Sequence, residues 1–286
     1  MTHVFLAPSV TVVRRGDTAI QFGLDATRSG VVELGSTELA DALAGVLRGI
    51  ANPLPVSVLV GRLRGAGVSG TAVFSLIDDL LAYGILREFT RRPVLLLGRG
   101  SLPAVIGELL ESAGLTARFQ LRHDSDAAFL DRDPTAPVVV INRFSHHAEL
   151  SARLARRKPT VFSAMLIDAR GVIGPARTGG AGPCLTCVEL TRVGVDKQWH
   201  TLVRQQPRGP ANPDPVVEAA VAARVVALLH RGDPDAGVIE ELDPYTGTIS
   251  RRRMSRHPLC PVCWLYSDGA PDGPGSPGLG VTAQDP

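Results

Sequence analysis

By type and spacing, the four cysteines are the residues of this chain best suited to chemistry. They stand as two hooks, "GPCLTC" (Gly182 to Cys187) and "HPLCPVCW" (His257 to Trp264), and no cysteine lies outside them. A CxxC turn lets two thiolates reach one ion, and zinc takes four such ligands in a tetrahedron. Cys184, Cys187, Cys260 and Cys263 therefore predict a full Cys₄ shell. Four thiolates leave no position open for water, so the predicted site is structural and would staple mid-chain to the C-terminal region. A dithiol redox pair and an iron–sulfur cluster are poorer fits, since a redox CxxC normally opens a helix after a strand without a distant second pair. His200 and His257 suit surface or ligand-supporting positions better than coordination.

A second stretch that could do chemistry is "GRGSLP" (Gly98 to Pro103), which follows an apolar run and opens an amphipathic one. Gly98 and Gly100 match the first two glycines of a nucleotide-cradling GxGxxG loop. Pro103 replaces the third, which normally permits close helix–strand packing. An acid about twenty residues on would normally hold a ribose. Here "ARFQLRHDSD" offers Asp124 and Asp126 behind Arg122 and His123, not a clean strand-end acid. The stretch reads as a degenerate loop, and a plain βα turn without nucleotide explains it as well.

Composition bounds the rest. A chain of 286 residues suggests one or two domains. A formal charge of +2 gives no electrostatic footprint for nucleic acid or anionic lipid. No run approaches the ~18 apolar residues of a spanning helix. The N-terminus, "MTHVFLAPSV", lacks the basic region and long apolar run of a signal peptide. The expectation is a soluble cytoplasmic protein without membrane or nucleic-acid partners, and in a reducing compartment CxxC hooks point to metal.

The elements that must position these residues fall into two groups. Short β-branched runs come first, "VTVVRR" from Val10, "TAIQFG" from Thr18 and "GVVELG" from Gly30, separated by turn residues, so three small strands are expected. Three helices follow: Ser36 to Ile50, Pro55 to Gly67, and Ser69 to Leu86 with Val73, Leu76, Ile77, Leu80 and Leu81 at helical spacing. Residues 1–88 thus predict an α+β winged-helix-like module, bounded by the basic, proline-terminated "REFTRRP". Beyond it, "PVLLLGRGSLPAVIGELLESAG" (Pro93 to Gly114) is the strand–loop–helix opening of a doubly wound α/β domain over 89–266. "APVVVIN" and "PTVFSAML" add buried strands, and "HHAELSARLARR" a helix between them. "PVVEAAVAARVVALLHRG" is a helix apolar nearly all round, and "GVIEELDPYTGTISRRRM" reads as a hairpin. Residues 267–286 are rich in glycine and proline and are expected to be disordered.

The order strand–GRGSLP–helix, then "VVVINRFSHHAELSARLARRKPTVFSAML", "GPCLTC", a buried helix and "HPLCPVC" resembles the ThiF-like adenylyltransferase superfamily over roughly residues 90 to 265. That resemblance implies a Rossmann-type sheet with structural zinc. The preceding module resembles the leader-peptide-recognition module of peptide-modifying enzymes. The fusion is similar to the ocin-ThiF-like, cyclodehydratase-type proteins of azole and azoline clusters. It implies a protein that binds a precursor's leader peptide and presents its core to a YcaO-type cyclodehydratase, and a homodimer is compatible with it. Active family members carry an aspartate after the second long strand, whereas "INRFSHH" offers Asn142 and Arg143. Mg²⁺ carboxylates and positioned cations are needed against a triphosphate, and no complete set is visible. ATP is therefore doubtful as a cofactor, and a non-catalytic scaffold is expected in preference to an active ATP-dependent adenylyltransferase acting on a peptide or protein C-terminus.

A DNA-binding winged helix would need Lys or Arg on its third helix, where this one carries Asp78 and Asp79. The basic run Ile249 to His257 reads as a solvated strand face. Peptide capture instead predicts an exposed edge strand, Val31 to Gly35, beside a groove floored by Val73, Ile77 or Leu81, with Asp78 and Asp79 favouring a basic or amphipathic leader. Equally, those three apolar residues would serve as the module's own core.

Overall fold

The structure is a computed structural model that describes residues 2–89, 92–144, 147–205, 209–232 and 234–266. The expected tail from Ser267 lies outside the described residues. The chain forms two compact units, Met1–Arg91 and Arg92–Pro286.

The first unit runs β1 (His3–Leu6), β2 (Val12–Arg15), β3 (Ala19–Phe22), β4 (Gly30–Glu33), α1 (Thr37–Arg48), β5 (Leu54–Pro55), α2 (Val56–Gly65), α3 (Gly70–Ala82) and β6 (Leu86–Phe89). Two three-stranded sheets result, β2-β3-β4 and β5-β1-β6, all antiparallel. Ser36 starts α1 by accepting a hydrogen bond from the Leu39 amide. The helices then turn Leu43 and Leu47, Leu59 and Leu63, and Val73 and Ile77 into a common core with Val4, Ile20 and Phe22. The second sheet corrects the sequence reading. His3–Leu6 pairs along its length with Leu86–Phe89, so the third helix stops at Ala82 and part of the basic segment expected to be a break is a strand. Short strands that pair only with distant partners leave little local signal.

The second unit runs β7 (Pro93–Leu97), α4 (Leu102–Ser112), β8 (Thr116–Phe119), α5 (Asp126–Asp131), β9 (Val138–Ile141), α6 (His147–Ala155), β10 (Val161–Ile167) and β11 (Arg170–Arg177). It continues with α7 (Leu185–Val195), α8 (Trp199–Val203), α9 (Pro215–Arg231), β12 (Val238–Asp243), β13 (Thr248–Arg253) and α10 (Pro261–Tyr266). The strands make one mixed seven-stranded sheet in the order β13-β12-β11-β10-β9-β7-β8. β8, β7, β9 and β10 run parallel, while β11, β12 and β13 are each antiparallel to their neighbours.

Alternation along the strands decides what covers each face. Val94 and Leu96 pack with Ile106 and Leu110 of α4 and with Val221 and Val225 of α9. Leu95 and Leu97 point the other way, onto Phe129, Leu130, Leu150 and Leu154 of α5 and α6. A strand buried on both faces has no polar positions to offer, which is why β7 reads as an unbroken apolar run. Among the described residues no helix is long and apolar enough to cross a membrane.

Because Leu96 is fully buried between α4 and α9, Leu96→Ala is expected to lower stability by about 3 kcal/mol through lost transfer energy and an unfilled cavity. The same change at exposed Leu121 should cost under about 0.5 kcal/mol. Urea denaturation of the two variants against the parent checks both values.

Candidate functional site

The two cysteine hooks meet. Cys184 is the N-cap of α7 and Cys187 lies in its first turn, while Cys260 immediately precedes α10 and Cys263 lies within it. All four residues are buried, and their sulfurs lie within 4.8 Å of one another. Three separations are short: Cys184 to Cys187 at 3.8 Å, Cys184 to Cys260 at 3.5 Å and Cys187 to Cys263 at 3.4 Å. Four thiolates at ~2.3 Å from one tetrahedral ion stand ~3.8 Å apart, so the cluster has the size of a Cys₄ metal site. A disulfide would need ~2.05 Å, and all four cysteines are free. The donor set fits a soft or borderline divalent cation.

The surroundings fix this arrangement. The amide of His257 donates to the Cys187 sulfur at 3.3 Å, and that of Cys263 to the Cys260 sulfur at 3.5 Å. The Thr186 amide donates to the Ser151 hydroxyl of α6, tying the first hook to a neighbouring helix. Leading into that hook, Gly182 adopts φ +94°, and a side chain there would meet the Ala176 carbonyl at 2.6 Å. Its own carbonyl accepts from both Arg177 and Arg256. Hydrogen bonds from Cys187 and then Cys263 hold the Cys184 thiol well below the ordinary thiol range. Its bond to Cys184 pushes Cys187 up, and the same partner pushes Cys263 up to about 12. The imidazoles stand outside the group: His257 Nδ1 accepts from the Leu259 amide, and His200 pairs with Glu189 at 3.1 Å.

The glycine loop joins β7 to α4 at the carboxyl ends of the parallel strands, the end where open α/β sheets hold ligands. A side chain at Gly98 would meet the Ile141 carbonyl at 2.5 Å, and Gly100 has φ +105°, so both glycines are required by the backbone alone. Ser101 caps no amide of α4. Its hydroxyl donates instead to Glu218, a carboxylate in the first turn of α9 that is only 6% exposed. Asn142 is buried with φ 48°, and its side-chain oxygen accepts the Leu166 amide at 2.9 Å. Asp126 is engaged by Arg143 and Gln120, and Asp124 by Arg132 and the Leu121 amide. Ser101, Asn142, Asp124 and Asp126 are thus each committed to another part of the chain.

A third feature lies within the first unit. A groove of about 1040 Å³ runs between β4 and α3. Its floor is apolar, from Val10, Phe22, Leu76, Leu80 and Ile85. β4 is the outer strand of its sheet. Because the Leu34 amide bonds inward to Thr18, alternation turns the amides and carbonyls of Val31 and Glu33 outward. Among the described residues these outward groups have no hydrogen-bond partner. The opposite edge, β2, is covered differently: Arg48 donates to the Val12 carbonyl at 2.8 Å. Val73 and Ile77, candidates for the groove floor, are instead 0% and 3% exposed in the unit's own core. Leu81 also packs against that core, and none of the three lines the groove. The lining comes from the adjacent stripe, Ala72, Ser75, Leu76, Asp79, Leu80 and Tyr83.

No family model and no curated protein matches this sequence. Among solved structures the chain is similar to the heterocyclase TruD, with 16% identity and a TM-score of 0.53, over 92% of this chain and 43% of that one. It is similar also to a heterocyclase in complex with substrate and cofactor, with 15% identity and a TM-score of 0.54, over 92% of this chain and 40% of that one. At these identities the likeness is one of fold, and this chain spans about two fifths of the length of either heterocyclase. The fold is thus a mixed α/β one shared with heterocyclases.

Proposed function

We propose that this chain is a ThiF-like, zinc-stabilised and catalytically degenerate protein. It captures the leader of a precursor peptide through a winged-helix-like module and presents the peptide to a YcaO-type cyclodehydratase in azole or azoline biosynthesis, in the cytoplasm. The observation that carries this reading is the groove beside β4. An apolar floor next to an edge strand with unpaired amides and carbonyls is the geometry that accepts an extended peptide by strand addition. The shared fold supports the reaction class.

The four sulfurs support zinc as the ion. When bound, zinc supplies folding free energy and no reactive water, since thiolates fill its shell. Cys184, Cys187, Cys260 and Cys263 would hold it, joining α7 to α10. The glycine loop supports the degenerate reading. A helix N-terminus attracts phosphate through its exposed amides, but here the buried Glu218 carboxylate stands against the Ser101 hydroxyl at that terminus. Like charge repels the phosphates that Gly98 and Gly100 would otherwise cradle, and Asn142 brings no charge to a magnesium ion.

Three outcomes are expected. Elemental analysis of the native full chain should give about one zinc per chain, because the sulfurs form a single tetrahedral set. Cys260→Ser should lose the metal and lower the thermal midpoint by roughly 10 °C or more. Protein free of zinc and of any other metal would refute the site.

ATP–pyrophosphate exchange by the chain alone, with any peptide added, should stay at background. Robust exchange would instead establish an active adenylyltransferase acting on a peptide or protein C-terminus.

Finally, dodecapeptides selected from a random displayed library on the full chain should slow amide exchange at Val31 and Glu33. Ala72→Trp, which fills the groove from the solvent side of α3, should weaken their binding by about tenfold or more. Selected peptides that bind equally well to Ala72→Trp would place peptide capture elsewhere.

A further inference from the structure

We propose that Arg28 and Asp79 set the charge specificity of the groove, and that its ligand is an amphipathic extended segment carrying one acidic and one basic side chain toward it. This rests on the reading of the groove as a peptide site.

The lining contains these two charged side chains and no other. Arg28 comes from the turn that precedes β4, and Asp79 from the face of α3 that looks onto the groove. Neither has an ion-pair or side-chain hydrogen-bond partner among the described residues. By contrast, Asp124, Asp126 and Glu240 each hold an arginine. Two opposite charges left unpaired on the wall of an apolar cleft favour complementary charges on whatever fills it. A ligand without them would strip water from both groups and return nothing.

Asp78, the neighbouring acid, does not line the groove. The pair of aspartates read from the sequence therefore contributes one charge, not two. With Arg28 added, the wall is balanced, and the segment it takes is of mixed charge.

Backbone geometry fixes the ligand's period. A segment paired to the outward groups of Val31 and Glu33 is a β-strand, so every second side chain faces the groove. The α3 wall is lined by Ala72, Ser75, Asp79 and Tyr83, spaced three and four residues apart on one helix face. Ala72 and Ser75 are small and leave room for a bulky apolar side chain above Leu76. Asp79 follows one turn later and calls for a base. The fitting segment therefore alternates, with large apolar groups inward and an acid and a base at the inward positions that reach Arg28 and Asp79.

The test uses the full chain and the dodecapeptides selected on it. The selected set is expected to share inward apolar residues at alternate positions together with one acid and one base. Arg28→Glu and Asp79→Lys should each weaken the consensus peptide about tenfold, as reversal of a facing charge does. Reversing the peptide's acid should restore binding to Arg28→Glu but not to Asp79→Lys, and reversing its base should do the opposite. Circular dichroism of each variant matching the parent excludes unfolding as the cause. Peptides that Ala72→Trp weakens, but that lack a charge preference and ignore both reversals, would overturn this inference and leave the groove reading standing. Peptides indifferent to Ala72→Trp, or no selected peptide at all, would overturn both.

Discussion

The second unit depends on four sulfur atoms being brought within van der Waals reach of one another. Four thiolates this close would repel one another in a buried site. A divalent cation held there would meet that charge and turn the cluster into a crosslink. The consequences spread outward. α10 has six residues, too few to be stable as an isolated helix, and it is held through Cys260 and Cys263. Tyr266, at the end of α10, then presents its ring to Arg156 at 4.6 Å and its hydroxyl at 2.7 Å. Met254, which follows β13, packs on the same cluster. The hairpin at the sheet's edge and the terminal helix thus share one anchor.

The first unit is held around an apolar core, and its informative feature is something left undone. The two outer edges of the β2-β3-β4 sheet could both have been covered. On β2, Arg48 caps the Val12 carbonyl, and Arg14 reaches Thr37 and Asp41 of α1. On β4 no side chain does this among the described residues. An open edge invites unwanted pairing, so leaving it open beside an apolar groove is costly unless something is meant to bind there. Short length limits the hazard: β4 is four residues long and ends at the charged Glu33.

What the sequence revealed followed the physics of each signal. The cysteine spacing was legible because two hooks that exhaust the cysteines suit one shared metal ion better than a redox pair or an iron–sulfur cluster. β7 and β9 were legible as continuous apolar runs, and α1 from its cap and period. β11 was missed. It is reached from β10 through Asp168 and Ala169, both at positive φ, a two-residue hairpin turn normally signalled by Asn-Gly or Asp-Gly. Asp-Ala carries no such signal, and "GVIGPAR" looks like a loop because glycine and proline interrupt it. β1 and β6 were missed because their pairing partners lie far away in the sequence. The groove floor was misassigned by one helical step. Val73 and Ile77 are the more apolar positions, and for that reason the unit's own core uses them, leaving the smaller and more polar stripe to face the groove.

The loop after β7 departs from the nucleotide-cradling pattern in lacking a third glycine and a following aspartate. The structure shows what the residues in those places hold. Gly98 persists because the Ile141 carbonyl leaves no room for a side chain, so the surviving half of the motif is explained by packing and carries no implication of a ligand. Asn142 holds the Leu166 amide, a bond that knits β9 to β10. Ser101 and Glu218 satisfy each other in the place where α4 presents its amino end. Ser101, Glu218 and Asn142 thus serve the packing of the domain itself, joining α4 to α9 and β9 to β10.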